Sequence, residues 1–348
     1  MPDANGPLAA RLARLIAEEG PITVARYMAE ANAHYYATRD PLGAAGDFIT
    51  APEISQMFGE LVGAWLADLW QRAGSPELCH YVELGPGRGT LAADASRAIR
   101  SAGLLPQVHL METSPALRMR QAELLPRAHW HESLESLPGS GAMLMVANEF
   151  FDALPIRQFV AGEAGWCERL VASQDGRFVP VNGPPIADCP TSERAPVGTI
   201  VESSPAAVAT VRDLSERLVR QGGVLLIIDY GSARGGSGDT FQAVRGHGFA
   251  DPWSEPGECD LTAHVDFGAL AQAAQAAGLE VHGPVEQGRW LRAIGIDLRA
   301  EVLARAAPGR AGEIATARDR LVEEDQMGSL FKVMALAAPG WPIPAGFA

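Results

Sequence analysis

The sequence is almost without lysine. Lys332 is the only one, and arginine supplies nearly all of the 28 basic residues. Against 42 acidic residues this leaves a formal charge of −14 at pH 7. That balance argues against a protein that reads nucleic-acid backbone, which needs a basic surface. An acidic surface suits basic or neutral partners. Cysteine is also scarce. Cys79, Cys167, Cys189 and Cys259 are scattered, with no CxxC pair and no disulfide framework, so they read as reduced thiols. No apolar run approaches the ~20 residues of a membrane span. The N-terminus carries Arg11 and Arg14, but Glu18 and Glu19 follow and no apolar h-region does, so it reads as an amphipathic helix and not a signal peptide. With an arginine bias resembling GC-rich bacterial coding, these absences lead to the expectation of a cytoplasmic bacterial protein that neither inserts into membranes nor binds nucleic acid.

What is present is a chain of 348 residues with 47% hydrophobic and 20% charged residues, ordinary for a globular enzyme. Its length suits one core domain with insertions. Leu8, Leu12, Leu15 and Ile16 mark one helical face, Gly20-Pro21 breaks it, and Ile22 to Ala33 predicts a second helix. A loop follows to Thr50. A helix from Pro52 and Glu53 then carries Ile54, Met57, Phe58, Leu61, Val62, Trp65, Leu66 and Leu69 on a broad apolar face. Residues 1–75 are therefore expected to be an N-terminal helical cap.

From Leu78 the rhythm becomes strand, loop, helix. Strands are expected at 81–84, 108–112, 128–131, 142–147 and 223–229, and helices at 91–102, 114–124 and about 205–220. That alternation predicts an α/β fold with a mostly parallel sheet over residues 76–348. Two stretches depart from it. Residues 156–200 read as a β-hairpin insertion, and residues 231–263, rich in Gly, Asp and Pro, as a long ordered loop. Helices at 267–277 and 314–324 and a strand at 330–336 close the chain. The tail from Pro339, with Trp341 and Phe347, is expected to pack either across a homodimer or on its own domain; the oligomeric state stays open.

The first strand runs into Glu83-Leu84-Gly85-Pro86-Gly87-Arg88-Gly89-Thr90. Glycines between a strand and a helix let the backbone approach a ligand, and the helix N-terminus adds amide donors. Dinucleotide enzymes space them GxGxxG. Here Gly85, Gly87 and Gly89 give GxGxG, a spacing associated with S-adenosylmethionine, which has no pyrophosphate to seat. Glu112 ends the second strand, where a carboxylate accepts ribose hydroxyls; the dinucleotide reading expects an acid there too. Glu132 follows the third strand, where an adenine edge would lie. The fourth strand ends in Asn148-Glu149-Phe150-Phe151-Asp152, at the carboxyl end where open α/β sheets bind ligands. Glu149 and Asp152 would share a face if the segment were helical, and two carboxylates suit a planar guanidinium. Phe150 and Phe151 could line the channel. His129 and His131 could be a metal pair but have no convincing third ligand, so no metal is expected.

With these residues assembled, the chain resembles the MidA-type methyltransferases, the family of mitochondrial complex I assembly factor 7 and its bacterial relatives. The resemblance rests on the segment from Gly46 to Gln56, the glycine loop, Glu112-Thr113-Ser114-Pro115, Asn148 to Pro155, Ile228-Asp229-Tyr230-Gly231, Gly238-Asp239-Thr240, Asp260 to Phe267 and Met327 to Val333. It spans essentially the whole chain. Ala51 stands where the family leads one to expect Ser.

The resemblance implies a class I methyltransferase fold, Rossmann-like with a seven-stranded mostly parallel sheet, using S-adenosyl-L-methionine and releasing S-adenosyl-L-homocysteine. It implies a protein substrate, with symmetric dimethylation of an arginine on the 49-kDa-type subunit of NADH-quinone oxidoreductase during complex I assembly. On that reading Gly85, Pro86, Gly87 and Gly89 seat the methionyl part, and Glu112, Thr113, Glu132 and Asn148 complete the cofactor site. Asp47 and Thr50 close over it. Glu149, Asp152 and Asn148 are the catalytic set, and Phe150, Phe151, His264 and Asp266 hold substrate. Two other readings remain: a non-catalytic assembly factor that retains the fold, and a small-molecule methyltransferase.

Overall fold

The computed structural model describes residues 7–38, 50–187, 189, 195–246 and 248–347. The chain divides into two compact units. One comprises Met1–Phe48, Asp152–Ala209 and Arg234–Asp266; the other comprises Ile49–Phe151, Thr210–Ala233 and Phe267–Ala348. We call them the antiparallel and the parallel unit after their sheets.

The parallel unit is built on strands β1 (Cys79–Leu84), β2 (Gln107–Met111), β3 (His129–His131), β4 (Ala142–Asn148), β5 (Gly223–Ser232), β6 (Glu280–Glu286) and β7 (Phe331–Ala337). Their order across the sheet is β3-β2-β1-β4-β5-β7-β6. Neighbours from β3 to β5 pair in parallel. β7 lies antiparallel between β5 and β6. Every residue of β1 and β4 is buried, which is why β4 runs apolar from Ala142 to Ala147 without alternation. The strand order reverses between β1 and β4, so a crevice is expected beyond their carboxyl ends.

The helix Gln56–Arg72 belongs to this unit. Ser55 caps it, accepting the Met57 N–H at 3.2 Å. Its Phe58, Leu66 and Leu69 join Leu91, Ile99 and Leu144 in one core. It lies close against the helix Thr90–Ser101. A Cβ on Gly63 would come 2.4 Å from the Ala95 carbonyl oxygen, so only glycine permits this approach. The C-terminal tail also packs on its own unit. Trp65 Nε1 donates to the Ala345 carbonyl at 2.9 Å, and the Phe347 ring lies 6.4 Å from that of Trp65.

The antiparallel unit carries helices Pro7–Glu19 and Val24–Thr38. Its larger sheet orders Ile22–Thr23, Gly165–Gln174, Arg157–Gly162 and Ile200–Ser203, with Arg177–Pro185 also paired to Gly165–Gln174. The insertion at 156–200 is therefore more than a hairpin. The stretch expected as a long loop at 231–263 contains a three-stranded antiparallel sheet of Gly248–Ala250, Gln242–Arg245 and Asp260–Thr262. Strands of three or four residues are too short to show a period among Gly, Asp and Pro. Tyr27, Met28 and Leu12 are buried in this unit with Phe178, Phe241 and Leu261.

The region after residue 277 also holds more than its sequence suggests. β6 shifts register between His282 and Val285, where Gly283-Pro284 interrupts it, and helices Gln287–Ala293 and Ile296–Ala306 follow. Among the described residues, no helix is long and apolar enough to cross a membrane.

Candidate functional site

The glycine turn leaves β1 with Gly85, Gly87 and Gly89 all in the left-handed region, at φ of 60°, 53° and 83°. A side chain strains each of these positions, which accounts for the spacing. Gly89 is the N-cap of the helix Thr90–Ser101, and its N–H bonds the Pro86 carbonyl at 2.7 Å. A Cβ on Gly85 would stand 3.0 Å from Cδ2 of Phe150, and one on Gly89 would stand 3.3 Å from Cγ of Gln121. The loop is thus a cradle with side chains packed to its rim. Residues ahead of it brace it as well. Thr90 Oγ1 donates to Glu53 Oε1 at 2.5 Å, and Arg88 Nη1 lies 3.9 Å from Glu53 Oε2. Thr50, in the turn before Glu53, accepts the Glu53 N–H on its carbonyl at 2.9 Å.

Glu112 ends β2 almost fully buried. Burial pushes its carboxyl above the usual range, and the N–H of Ser114, donating to Oε1 at 2.7 Å, pulls it back. Gln121, fully buried, ties this acid to the glycine turn. Its Nε2 donates to the Gly87 carbonyl at 2.7 Å and to Glu112 Oε2 at 3.3 Å, while its Oε1 accepts from Trp130 Nε1 at 2.7 Å. Arg118 donates to the Glu112 carbonyl from both Nε and Nη2, and pairs with the exposed Glu132 at 3.2 Å. Thr113 is exposed between these elements. Behind the turn, burial pushes the Glu83 carboxyl up to about 8, partly opposed by the Tyr81 hydroxyl, which donates to Glu83 Oε2 at 2.5 Å.

The end of β4 supplies a second cluster. Asn148 Nδ2 donates to Glu149 Oε1 at 3.2 Å, and the Ala51 N–H reaches the same oxygen at 3.4 Å. Asn148 Oδ1 is buried and has no hydrogen-bond partner among the described residues. Glu149 itself has φ of 50°, a left-handed conformation that a glutamate rarely adopts. Phe151 is buried and its ring meets that of Phe150 edge-on at 5.3 Å. The helical spacing that would align Asp152 with Glu149 is absent, because no residue from 149 to 155 is helical.

Asp152, His264 and Asp266 belong to the antiparallel unit. Asp152 is buried there, and its carbonyl accepts the Ala263 N–H at 3.0 Å. The exposed His264 donates its backbone N–H to Thr240 Oγ1 at 2.9 Å. Asp266 packs under Gly235, where a Cβ would come 2.6 Å from its Oδ2. Asp47, expected over the cofactor, lies outside the described residues.

His131, read with His129 as a possible metal pair, bonds His109 and Ser136. It ends a hydrogen-bonded row across β1, β2 and β3. The row runs from the Ser140 carbonyl to His80 Nε2 at 2.9 Å, His80 Nδ1 to His109 Nε2 at 3.0 Å, His109 Nδ1 to His131 Nε2 at 2.9 Å, and His131 Nδ1 to Ser136 Oγ at 2.9 Å. Burial and the neighbouring rings hold His109 down at about 3. Among the described residues, no group of three or more His, Cys, Asp or Glu could hold a metal ion.

Sequence reasoning missed Gln121, Trp130, Glu53 and Asp229. Only Glu53 and Asp229 carried any signal, as members of the family-like segments.

The strand order, the reversed final strand and the glycine turn together define a class I S-adenosylmethionine-dependent methyltransferase fold. Residues 61–285 match the model of the family described as "Putative S-adenosyl-L-methionine-dependent methyltransferase", and the chain belongs to this family. It is 39% identical to the mitochondrial protein arginine methyltransferase NDUFAF7 homologue of Drosophila melanogaster, over 95% of this chain and 85% of that protein. It is 35% identical to the mitochondrial protein arginine methyltransferase NDUFAF7 of Homo sapiens, over 95% and 83%. A superfamily member from Burkholderia thailandensis, crystallised with S-adenosyl-homocysteine, superposes with a TM-score of 0.85 at 30% identity, covering 97% of this chain and 94% of that one.

The site fits the cofactor this family uses. A Cβ on Gly85 or Gly89 would crowd Phe150 or Gln121 at the turn, Glu112 stands at the strand end with a carboxylate able to accept further bonds, and Asn148 Oδ1 has no partner among the described residues. One expectation is overturned. A cytoplasmic bacterial protein was inferred from arginine bias and from missing targeting signals, whereas the curated relatives are mitochondrial proteins. Neither composition nor a globular fold encodes a compartment.

Proposed function

We propose that this chain methylates an arginine of a protein substrate, with Glu149 as the residue that grips the acceptor guanidinium. The observation that supports this most directly is the Asn148–Glu149 pair at the carboxyl end of β4, held beside the glycine turn through Phe150. The curated relatives named protein arginine methyltransferases support the choice of acceptor.

S-adenosylmethionine supplies an electrophilic methyl group. The work left to the chain is positioning and electrostatics. Gly85, Pro86, Gly87 and Gly89 seat the methionyl part, Glu112 accepts the ribose hydroxyls, and Thr113 and Glu132 lie toward the adenine, with Thr50 closing above. Guanidinium stays charged in water, so its nitrogen must shed a proton as it takes a methyl group. Glu149 is an acceptor for that proton and fixes the guanidinium plane by charge-assisted bonds. Asn148 Oδ1 accepts a further N–H from the same group. Phe150 and Phe151 exclude water. The finer reading is symmetric dimethylation of the 49-kDa-type subunit of NADH-quinone oxidoreductase in complex I assembly.

The test is incubation of the protein with labelled S-adenosylmethionine and lysate from a strain lacking it, followed by mass spectrometry. Symmetric dimethylarginine on that subunit is the expected result. Label confined to small molecules would overturn the protein-substrate reading, and label on lysine would overturn the guanidinium grip.

A further inference from the structure

We propose that Asp229 is a positioning residue, whose carboxylate holds the turn after β4 in the strained shape that presents Glu149. The proposal rests on the reading of Glu149 above.

Asp229 lies near the end of β5 and is fully buried. Its Oδ2 accepts two successive backbone N–H groups, from Phe150 at 3.2 Å and from Phe151 at 3.0 Å. Its Oδ1 accepts the N–H of Tyr230 at 3.0 Å. A buried carboxylate is costly unless it is hydrogen-bonded, and here three backbone N–H groups donate to it. The donors are specific to one local shape. Phe150 and Phe151 point both N–H groups at a single oxygen directly after the left-handed Glu149, whose φ is 50°. The Glu149 N–H is still engaged with the Ile228 carbonyl at 2.9 Å, the last rung of the β4–β5 ladder. The ladder thus ends at the bend residue itself, and Asp229 takes up the next two amides.

A left-handed glutamate is unfavourable relative to glycine and persists only where its surroundings impose it. The Asp229 carboxylate is such an imposition. The consequence reaches both halves of the site. The bend points the Glu149 carboxylate to Asn148 and the Ala51 N–H, and it lays the Phe150 ring against Gly85 of the glycine turn. Asparagine at 229 would turn an N–H₂ toward either the Phe150 and Phe151 amides or the Tyr230 amide, donor against donor.

The experiment uses the full chain in four forms: parent, Asp229→Asn, Glu149→Gly and the double variant, with Glu149→Gln as a control. In the lysate assay Asp229→Asn is expected to lose roughly a hundredfold in turnover, as displaced catalytic groups do, with KM for S-adenosylmethionine within about threefold of the parent. In thermal melts Glu149→Gly, which accepts a positive φ freely, is expected to raise Tm. The Tm loss caused by Asp229→Asn should shrink by about half or more in the glycine background, since contacting residues couple. If Asp229→Asn alone does not fold, recovery of a folded double variant supports the proposal, and failure of both overturns it. Equal Tm losses in the two backgrounds would show a merely structural carboxylate and overturn it, as would unchanged turnover in Asp229→Asn while Glu149→Gln is inactive. Retained turnover in Glu149→Gln would overturn the reading of Glu149 instead, and the melting cycle would still decide whether Asp229 holds the bend.

Discussion

The two units place their buried polar groups differently. In the parallel unit several stand at the carboxyl ends of strands: Glu112 after β2, Asn148 at the end of β4, Asp229 near the end of β5, and Gln121 reaching the glycine turn from a neighbouring helix. In the antiparallel unit they stitch strands and loops together. Asn32 donates to the Ala153 and Leu261 carbonyls and accepts the Leu261 N–H, while Gln158 bonds Glu202 and Asp239. Hydrogen bonds of the first kind hold backbone turns at strand ends, and one acceptor there, Asn148 Oδ1, has no partner among the described residues. Those of the second kind close on themselves. Burial of a polar side chain is therefore a poor sign of function by itself, and what it bonds to tells more.

Substitutions in the two units should separate accordingly. The largest effect is expected at Glu149. Glu149→Gln keeps the shape and removes the charge, so turnover should fall by about 10²–10³, the usual loss of one electrostatic group. S-adenosylhomocysteine affinity by calorimetry should change little; a lost affinity would place Glu149 in the cofactor site. Next is Gln121→Leu, which leaves the Gly87 carbonyl, the Glu112 carboxylate and the Trp130 N–H each short of a partner. Cofactor affinity should fall roughly tenfold, about 1.4 kcal/mol. An unchanged affinity would show the Gln121 bridge to be structural only.

Asn32→Ala should lower stability by about 1–3 kcal/mol through the Leu261 and Ala153 groups it strands, with cofactor affinity unchanged. Weaker affinity in that variant would break the contrast between the units. Last come the effects of pH, which act on stability and leave the site's own groups unchanged. His109 is held at about 3 in the fold against 6.5 in the open chain. Below 6.5 the unfolded chain takes up a proton that the fold refuses, so this contribution is full above 6.5 and is lost as pH falls toward 3. His109→Phe should flatten that limb in denaturant titrations. Glu83 runs the other way: raised to about 8, it favours the fold at acid pH, and that contribution is lost as pH rises from 4.5 to 8. Glu83→Gln should remove this slope and leave the His109 limb.

The parts legible in the sequence are those where a single residue type answers a local demand. Gly85, Gly87 and Gly89 must have positive φ, so their spacing shows. β4 is buried on both faces, so Ala142 to Ala147 run apolar. Glu112 follows from its place at a strand end. Gln121 was illegible because a glutamine on the helix Pro115–Leu124 looks like any solvated residue; only the fold brings Gly87, Glu112 and Trp130 around it. β6 was missed because Gly283-Pro284 breaks its period, and Gln242–Arg245 because four residues carry none. The expectation of a shared helical face for Glu149 and Asp152 assumed regular geometry where the chain turns sharply. A carboxylate eighty residues away, Asp229, accepts the amides of that bend.

The row of histidines has a direction. A carbonyl oxygen can only accept, so the Ser140 end obliges His80 to carry its proton on Nε2 and to receive one at Nδ1. His109 must then donate from Nε2 and receive at Nδ1, and His131 must do the same. One acceptor at one end thus sets the tautomer of three rings. Only at the far end is there slack, because the Ser136 hydroxyl has a second acceptor in the Ser133 carbonyl at 2.8 Å and can turn to it when His131 is protonated. The row across β1, β2 and β3 is therefore polarised, its proton positions set from the Ser140 carbonyl and its slack confined to the Ser136 end.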